Sequence, residues 1–311
     1  MGLRVRPATL DDVRSIVEVH CSDMEEWYRL VGGARVRAPY EELSVGERFL
    51  HGGPWMSVET CAIHLNYLLT AGQYPLVAEL DGRVVGELEL YIGEERGVLG
   101  KTWYIDVLVV HKSYRGRGIG RRLVEEARRI AIQEGCNTIS VWPERQAVPF
   151  YEKCGLRRVA YRVLHVVVGV TYCGTLSSPL REFPQSFEEL ASMWFLAPRI
   201  YSSFTAWLKS RWSYALRIAW IKLYEAYIPA LDAALILEGI PLRREEARLC
   251  LWVSDVSRAR EALLYACSEA ARLGVRKLHL LAEEAVCRQL VRGLAAEAVS
   301  EEAVLMEELH Q

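Results

Sequence analysis

The chain has no CxxC pair among its eight cysteines, which removes the common zinc spacings and the compact disulfide frameworks. Free thiols in a reducing compartment are what remains, so a cytoplasmic location is expected. No apolar run reaches the roughly 18 residues that a membrane span needs. The opening "MGLRVRPATLDDV" has no apolar leader core, and no membrane partner is expected. Net charge is −2, so the basic field that holds nucleic acid is missing too. His20, His51, His64, His111 and His165 show no metal-ligand spacing, and no metal is expected. Asparagine and lysine are scarce beside arginine, a bias of thermophile or GC-rich sources.

Apolar residues make up 51% of 311 positions, enough core for two domains. Thr9, Asp11 and Asp12 start an amphipathic helix after a short strand, and "SVETCAIHLNYLLTAG" reads as a second helix. "PLVAELDGRVVGELELYIGEE" is a hairpin turning at Asp81-Gly82, and "TWYIDVLVV" is a further strand. A helix over 118–134, closed by Gly135, precedes strand "TISVWPE", helix "QAVPFYEKC" and strand "RRVAYRVLHVVVGVTY". The turn-rich segment 174–186 separates 1–173 from 187–311. Residues 187–228, with Trp194, Phe195, Tyr201, Phe204, Trp207, Trp212, Tyr214 and Trp220, read as helical and too aromatic to stay exposed.

The chain then reads as built twice. Gly135 to Gly155 spans 20 residues, Gly274 to Gly293 spans 19, and each interval holds a strand and a helix, with a further strand after it. A degenerate internal duplication follows from that spacing. Ser254, Asp255 and Ser257 cap the second half's corresponding helix. An aspartate at that point repels phosphate, so the second half is expected to bind no acyl-CoA.

The junction "VLVVHKSYRGRGIGRRLVEEARR" carries the chemistry. Gly116, Gly118 and Gly120 weaken both strand and helix, yet they stand where a strand meets a helix start. Helix N-termini leave N–H groups without intrahelical partners and carry partial positive charge, which makes a phosphate cradle. The dinucleotide G-x-G-x-x-G spacing fails here and no G-K-[ST] follows. The pattern that fits is R-x-x-G-x-G, filled by Arg115, Gly118 and Gly120. It resembles the pyrophosphate motif of the GNAT superfamily of acyl-CoA-dependent N-acetyltransferases. Ala8, Thr9 and Asp12, and the later Ala147, Phe150, Tyr151, Glu152, Lys153 and Gly155, extend the resemblance over about residues 3–170.

The resemblance implies an α/β (α+β) fold: a central mixed sheet flanked by helices, with splayed fourth and fifth strands, followed by a degenerate GNAT-like second domain over 187–311. It implies acetyl-CoA as cofactor, with backbone at Leu108, Val109 and Val110 pairing with the pantetheine arm. Arg115, Gly116, Arg117, Gly118, Ile119, Gly120 and Arg121 would hold the diphosphate. Glu144 stands where relatives often carry asparagine at a cofactor contact. Tyr151 matches the family's general-acid tyrosine, since a phenol near pKa 10 can protonate a departing thiolate. Its alternative is packing under the cofactor.

Asp106 on the fourth strand is the leading residue to orient or deprotonate the amine. Thr102 replaces the glutamate of some relatives, and Glu87 and Glu89 are substitutes read as solvated. Trp27, Tyr28, Trp55 and Tyr67 are read first as core, then as an aromatic acceptor pocket. The expected activity is acetyl transfer to a small-molecule or peptide amine by direct attack in a ternary complex. The alternative is a non-catalytic acyl-CoA-binding or sensing protein. A homodimer stays open.

Overall fold

The computed structural model describes residues 2–172, 179–196, 202–212, 222–240 and 243–309. Of the expected linker, residues 174–178 lie outside these, as do Tyr201, Tyr214 and Trp220. Two compact units result, and neither is continuous in sequence. The first takes residues up to Tyr91 with Ile105–Glu134, and the second takes Ile92–Tyr104 with the described residues from Gly135 on.

The elements run in chain order from β1 (Leu3–Pro7) and α1 (Val13–Cys21) to the hairpin β2 (Tyr28–Val31) and β3 (Ala34–Arg37). Helices α2 (Val45–Phe49) and α3 (Val58–Thr70) follow, then strands β4 (Leu76–Leu80), β5 (Arg83–Glu95) and β6 (Gly100–Val110), and helix α4 (Ile119–Gln133). In the first unit β1 and β5 flank β4, both antiparallel to it. The β4–β5 turn is the Asp81-Gly82 pair, both at positive φ (51° and 82°), as a two-residue hairpin of right-handed twist requires. Val13, Ile16 and Val17 of α1 and Cys61 and Leu65 of α3 pack with Val77 and Val84 into one core. These helix positions lie three or four residues apart, so each helix buries one stripe.

The second unit holds β7 (Thr138–Val141), α5 (Val148–Lys153), β8 (Arg158–Gly169), β9 (Trp194–Leu196) and α6 (Ser203–Trp212). It continues with β10 (Lys222–Ile228), β11 (Ala233–Ile240), β12 (Arg243–Val253), α7 (Ala259–Arg272), β13 (Lys277–Glu283), α8 (Glu284–Leu290) and β14 (Ala296–Glu308). Its strand order is β7-β14-β8-β13-β12-β11-β10. Leu235, Leu237, Leu249, Leu251, Leu278 and Leu280 alternate onto the face that α7 covers with Ala262, Leu263 and Ala266. Ala234, Ile236, Cys250 and Trp252 alternate to the other face, where Phe183 and Ala206 meet them.

Two features differ from the reading of the sequence. Segment 187–228 is not continuously helical: β9 and β10 lie in it beside α6. Aromatic residues suit strands as well as helices, and pairing with β12 and β11 decided the matter. The halves also exchange strands. The order β4-β5-β6-α4-β7-α5-β8 recurs as β10-β11-β12-α7-β13-α8-β14, yet β8 pairs with β13 and β14 pairs with β7. Each half's last strand in this order lies on the other half's fourth, and β8 and β14 pair with each other. Among the described residues no helix is long and apolar enough to cross a membrane, and seven cysteines are free thiols.

Candidate active site

β6 is buried over Thr102–Ile105 and half-buried over Asp106–Val110. Its end is anchored by His111, whose N–H donates to the Val85 carbonyl at 2.9 Å. A turn closed by Tyr114 N–H on the His111 carbonyl at 2.8 Å then leads to the glycines. Gly116 and Gly118 have φ of 76° and 78°. A Cβ added at either meets nothing within 4 Å. Packing therefore does not demand glycine; the left-handed backbone does, and a side chain would enter the open space at the helix start. Gly118 is the N-cap of α4 and contributes no side-chain bond. The first intrahelical bond runs from Arg122 N–H to the Gly118 carbonyl at 3.0 Å. The N–H groups of Ile119, Gly120 and Arg121 precede it and have no intrahelical acceptor. Ile119 is buried and fixes the helix start against β5, where a Cβ on Gly86 would sit 3.4 Å from its Cγ2.

The arginines divide. Arg115 donates from Nε to the Val110 carbonyl at 2.9 Å and pairs with Asp23, so it braces the loop against the strand end. Arg117 reaches the Ser113 carbonyl at 3.3 Å and lies 5.2 Å over the Tyr114 ring. Arg121 and Arg122 pair with Glu125 at 3.4 and 3.3 Å. The cradle is thus mostly main chain, with its charge from the helix dipole.

Glu87 and Glu89 are buried, 1% and 0% exposed, which corrects the solvated reading. They share one face of β5 beneath α1 and α3. His20 Nε2 lies 2.5 Å from Glu87 Oε2, and His64 Nε2 lies 2.7 Å from Glu89 Oε1. The Trp55 indole donates to Glu89 at 2.6 Å, and its ring stacks on His20 at 5.2 Å. Burial pushes the Glu87 carboxyl up, and His20 opposes that shift. Tyr91 donates to Glu89 at 3.4 Å. Burial, then the charges of Glu89 and Asp106, hold its phenol well above its ordinary range. Asp106 therefore belongs to this electrostatic neighbourhood, half-buried at its edge.

His20 and His64 were missed as functional-site residues. The signal was present: each sits on its helix's buried stripe, where an ionisable group must find a partner. Trp27, Tyr28, Trp55 and Tyr67 are half-buried, and Trp55 packs against the core of α1 and α3. Trp27 packs edge-on to Tyr40 at 5.0 Å, and His51 lies 4.4 Å from the Tyr28 ring.

Tyr151 belongs to the second unit, as do Thr102 and Glu144. It is buried on α5, edge-on to Phe150 at 5.0 Å, and its carbonyl accepts from Leu156 N–H at 3.1 Å. Thr102 is fully buried, its hydroxyl 2.8 Å from Ser140 Oγ, a structural bond and not an open base. Glu144 is exposed and accepts from the Gln146 amide.

The half-buried end of β6 thus leads into a glycine-entered helix whose first N–H groups have no intrahelical acceptor. Residues 40–156 match the acetyltransferase (GNAT) family. Over 77 residues it is 35% identical to a glucosamine 6-phosphate N-acetyltransferase of Trypanosoma brucei brucei, covering 24% of this chain and 52% of that protein. The chain thus spans about half the length of this relative. A GCN5-related N-acetyltransferase from Anabaena variabilis superposes over 99% of this chain and 73% of its own, with TM-score 0.62 and 13% identity. A tandem GNAT protein from the clavulanic acid biosynthesis pathway superposes over 100% and 99%, with TM-score 0.52 and 16% identity. These two likenesses establish the fold, including its doubled form.

Proposed function

We propose that this chain transfers an acetyl group from acetyl-CoA to a primary amine by direct attack within a ternary complex. The observation that carries the reading is the β6–α4 junction: two left-handed glycines, open space above them and helix N–H groups without intrahelical acceptors. These residues fit a diphosphate. The backbone of Gly116–Arg121 binds it, and the half-buried edge at Leu108–Val110 pairs with the pantetheine amides. When bound, acetyl-CoA supplies an acyl group activated as a thioester.

Asp106 orients the amine and draws its proton away. Tyr151 supplies a proton to the leaving thiolate, a role that a phenol hydroxyl can fill. Two matched relatives are named for amine acetylation, one of glucosamine 6-phosphate and one, from Arabidopsis thaliana, of N-alpha groups. Both acceptors are primary amines, which supports that class here. The test is thiol release from acetyl-CoA with a panel of amino sugars, peptides and polyamines. Release with any of them supports the reading; calorimetric binding of CoA without release leaves an acyl-CoA-binding protein.

A further inference from the structure

The second half repeats the order of elements that makes the slot in the first, and the contents of its slot can be read directly. Strands β12 and β13 are parallel and pair only over Glu246–Arg248 and Lys277–His279. Beyond this stretch β13 continues along β8 and β12 along β11. On the edge that β12 leaves uncovered lies β9, antiparallel, with Leu196 opposite Leu251, Phe195 opposite Trp252 and Trp194 opposite Val253. β9 also lies against β13.

Its side chains alternate as those of a buried strand do. Leu196 and Trp194 enter the core beneath α7 and α8. Phe195 points the other way, 4.7 Å from the Trp252 ring. The 3-10 turn Val256–Arg258 that leads into α7 is capped by Asp255. Asp255 Oδ1 accepts from Ser257 N–H at 2.8 Å, and Oδ2 accepts from the Ser257 hydroxyl at 2.7 Å. The space left beside Trp194, Leu196, Val256 and Val286 is a cavity of about 160 Å³. That is near the size that holds a benzene ring, far short of a pantetheine arm.

We infer that β9 stands in for an acyl-CoA in the second half: a peptide strand where the pantetheine arm would add. The second slot is filled by the chain itself. What the slot would otherwise hold rests on the function proposed above; that it is filled does not.

Hydrogen exchange on the full chain, with and without CoA, tests the two separately. The amides of Leu251–Val253 should be as protected as those of β11 without CoA and unchanged by it. Fast exchange there that slows on adding CoA overturns the inference. In Phe195→Pro, exchange at 251–253 should rise about tenfold or more, because opening becomes local, while any CoA-induced protection at 116–121 stays as in the parent. Unchanged exchange at 251–253 in that variant also overturns it. Should the variant not fold, the parent protein alone decides. If CoA protects nothing at 116–121 while 251–253 stay protected, the acetyltransferase reading fails and the self-filled slot stands.

Discussion

The chain leaves β6 for α4 through Gly116 and Gly118, neither of which offers the helix a side chain. It leaves β12 for α7 through Ser254, Asp255, Val256 and Ser257, where a carboxylate already accepts two hydrogen bonds. Helix α6 repeats the second solution. Glu95 accepts from the Ser202 hydroxyl at 2.9 Å, Ser203 N–H at 3.0 Å and Phe204 N–H at 3.3 Å. Every helix start attracts an anion. The difference lies in whether the protein brings its own. Where it does, the helix start is finished as a structural part; where it does not, a ligand can complete it.

Several changes would break or sharpen this contrast. The largest effect is expected of Gly118→Glu, which places a carboxylate at the α4 start on a backbone with φ of 78°. CoA binding should fall below calorimetric detection while the fold persists by circular dichroism. Tyr151→Phe should lower kcat by about 100-fold, the lower range for a lost general acid, with the Kd for CoA unchanged. A parallel loss of CoA affinity would instead mark Tyr151 as a packing residue.

Glu95 tests the self-supplied acceptor at α6. Burial raises its carboxyl from an ordinary 4.5 to about 7, against the three donors that favour its charge. A raised carboxyl contributes stability that is complete below pH 4.5 and is lost as pH rises through 7. Urea unfolding should therefore show a decline of about 3 kcal/mol across that window, absent in Glu95→Gln. Equal slopes in both proteins would exclude the assignment. The smallest change is Asp255→Ala, which removes a cap worth about 1 kcal/mol. The stoichiometry of CoA binding should stay at one per chain.

The glycine junction was legible because it is local. Positive φ, a helix start and a preceding β-branched strand all fall within about two dozen residues, and each leaves its own mark on residue choice. The Asp81-Gly82 turn and the stripes of α1 and α3 were legible for the same reason. The His20–Glu87 and His64–Glu89 pairs were not, since their partners lie 67 and 25 positions apart. A glutamate on a strand looks solvated until the helix above it is known to carry a histidine. β9 left still less trace, being three aromatic and aliphatic residues inside a segment whose composition suits helix and strand alike. The exchange of β8 and β14 is invisible to any local pattern, because either strand would have paired as well within its own half.

That exchange bears on how the polypeptide matures. β14, Ala296–Glu308, fills the place between β7 and β8 and is synthesised after both of them. Until it emerges from the ribosome, β7 and β8 both present bare edges. Such pairings of high sequence separation form slowly, and open edges invite association with other chains in the interval. A nascent chain stalled before Ala296 should thus be a better chaperone client than the finished protein.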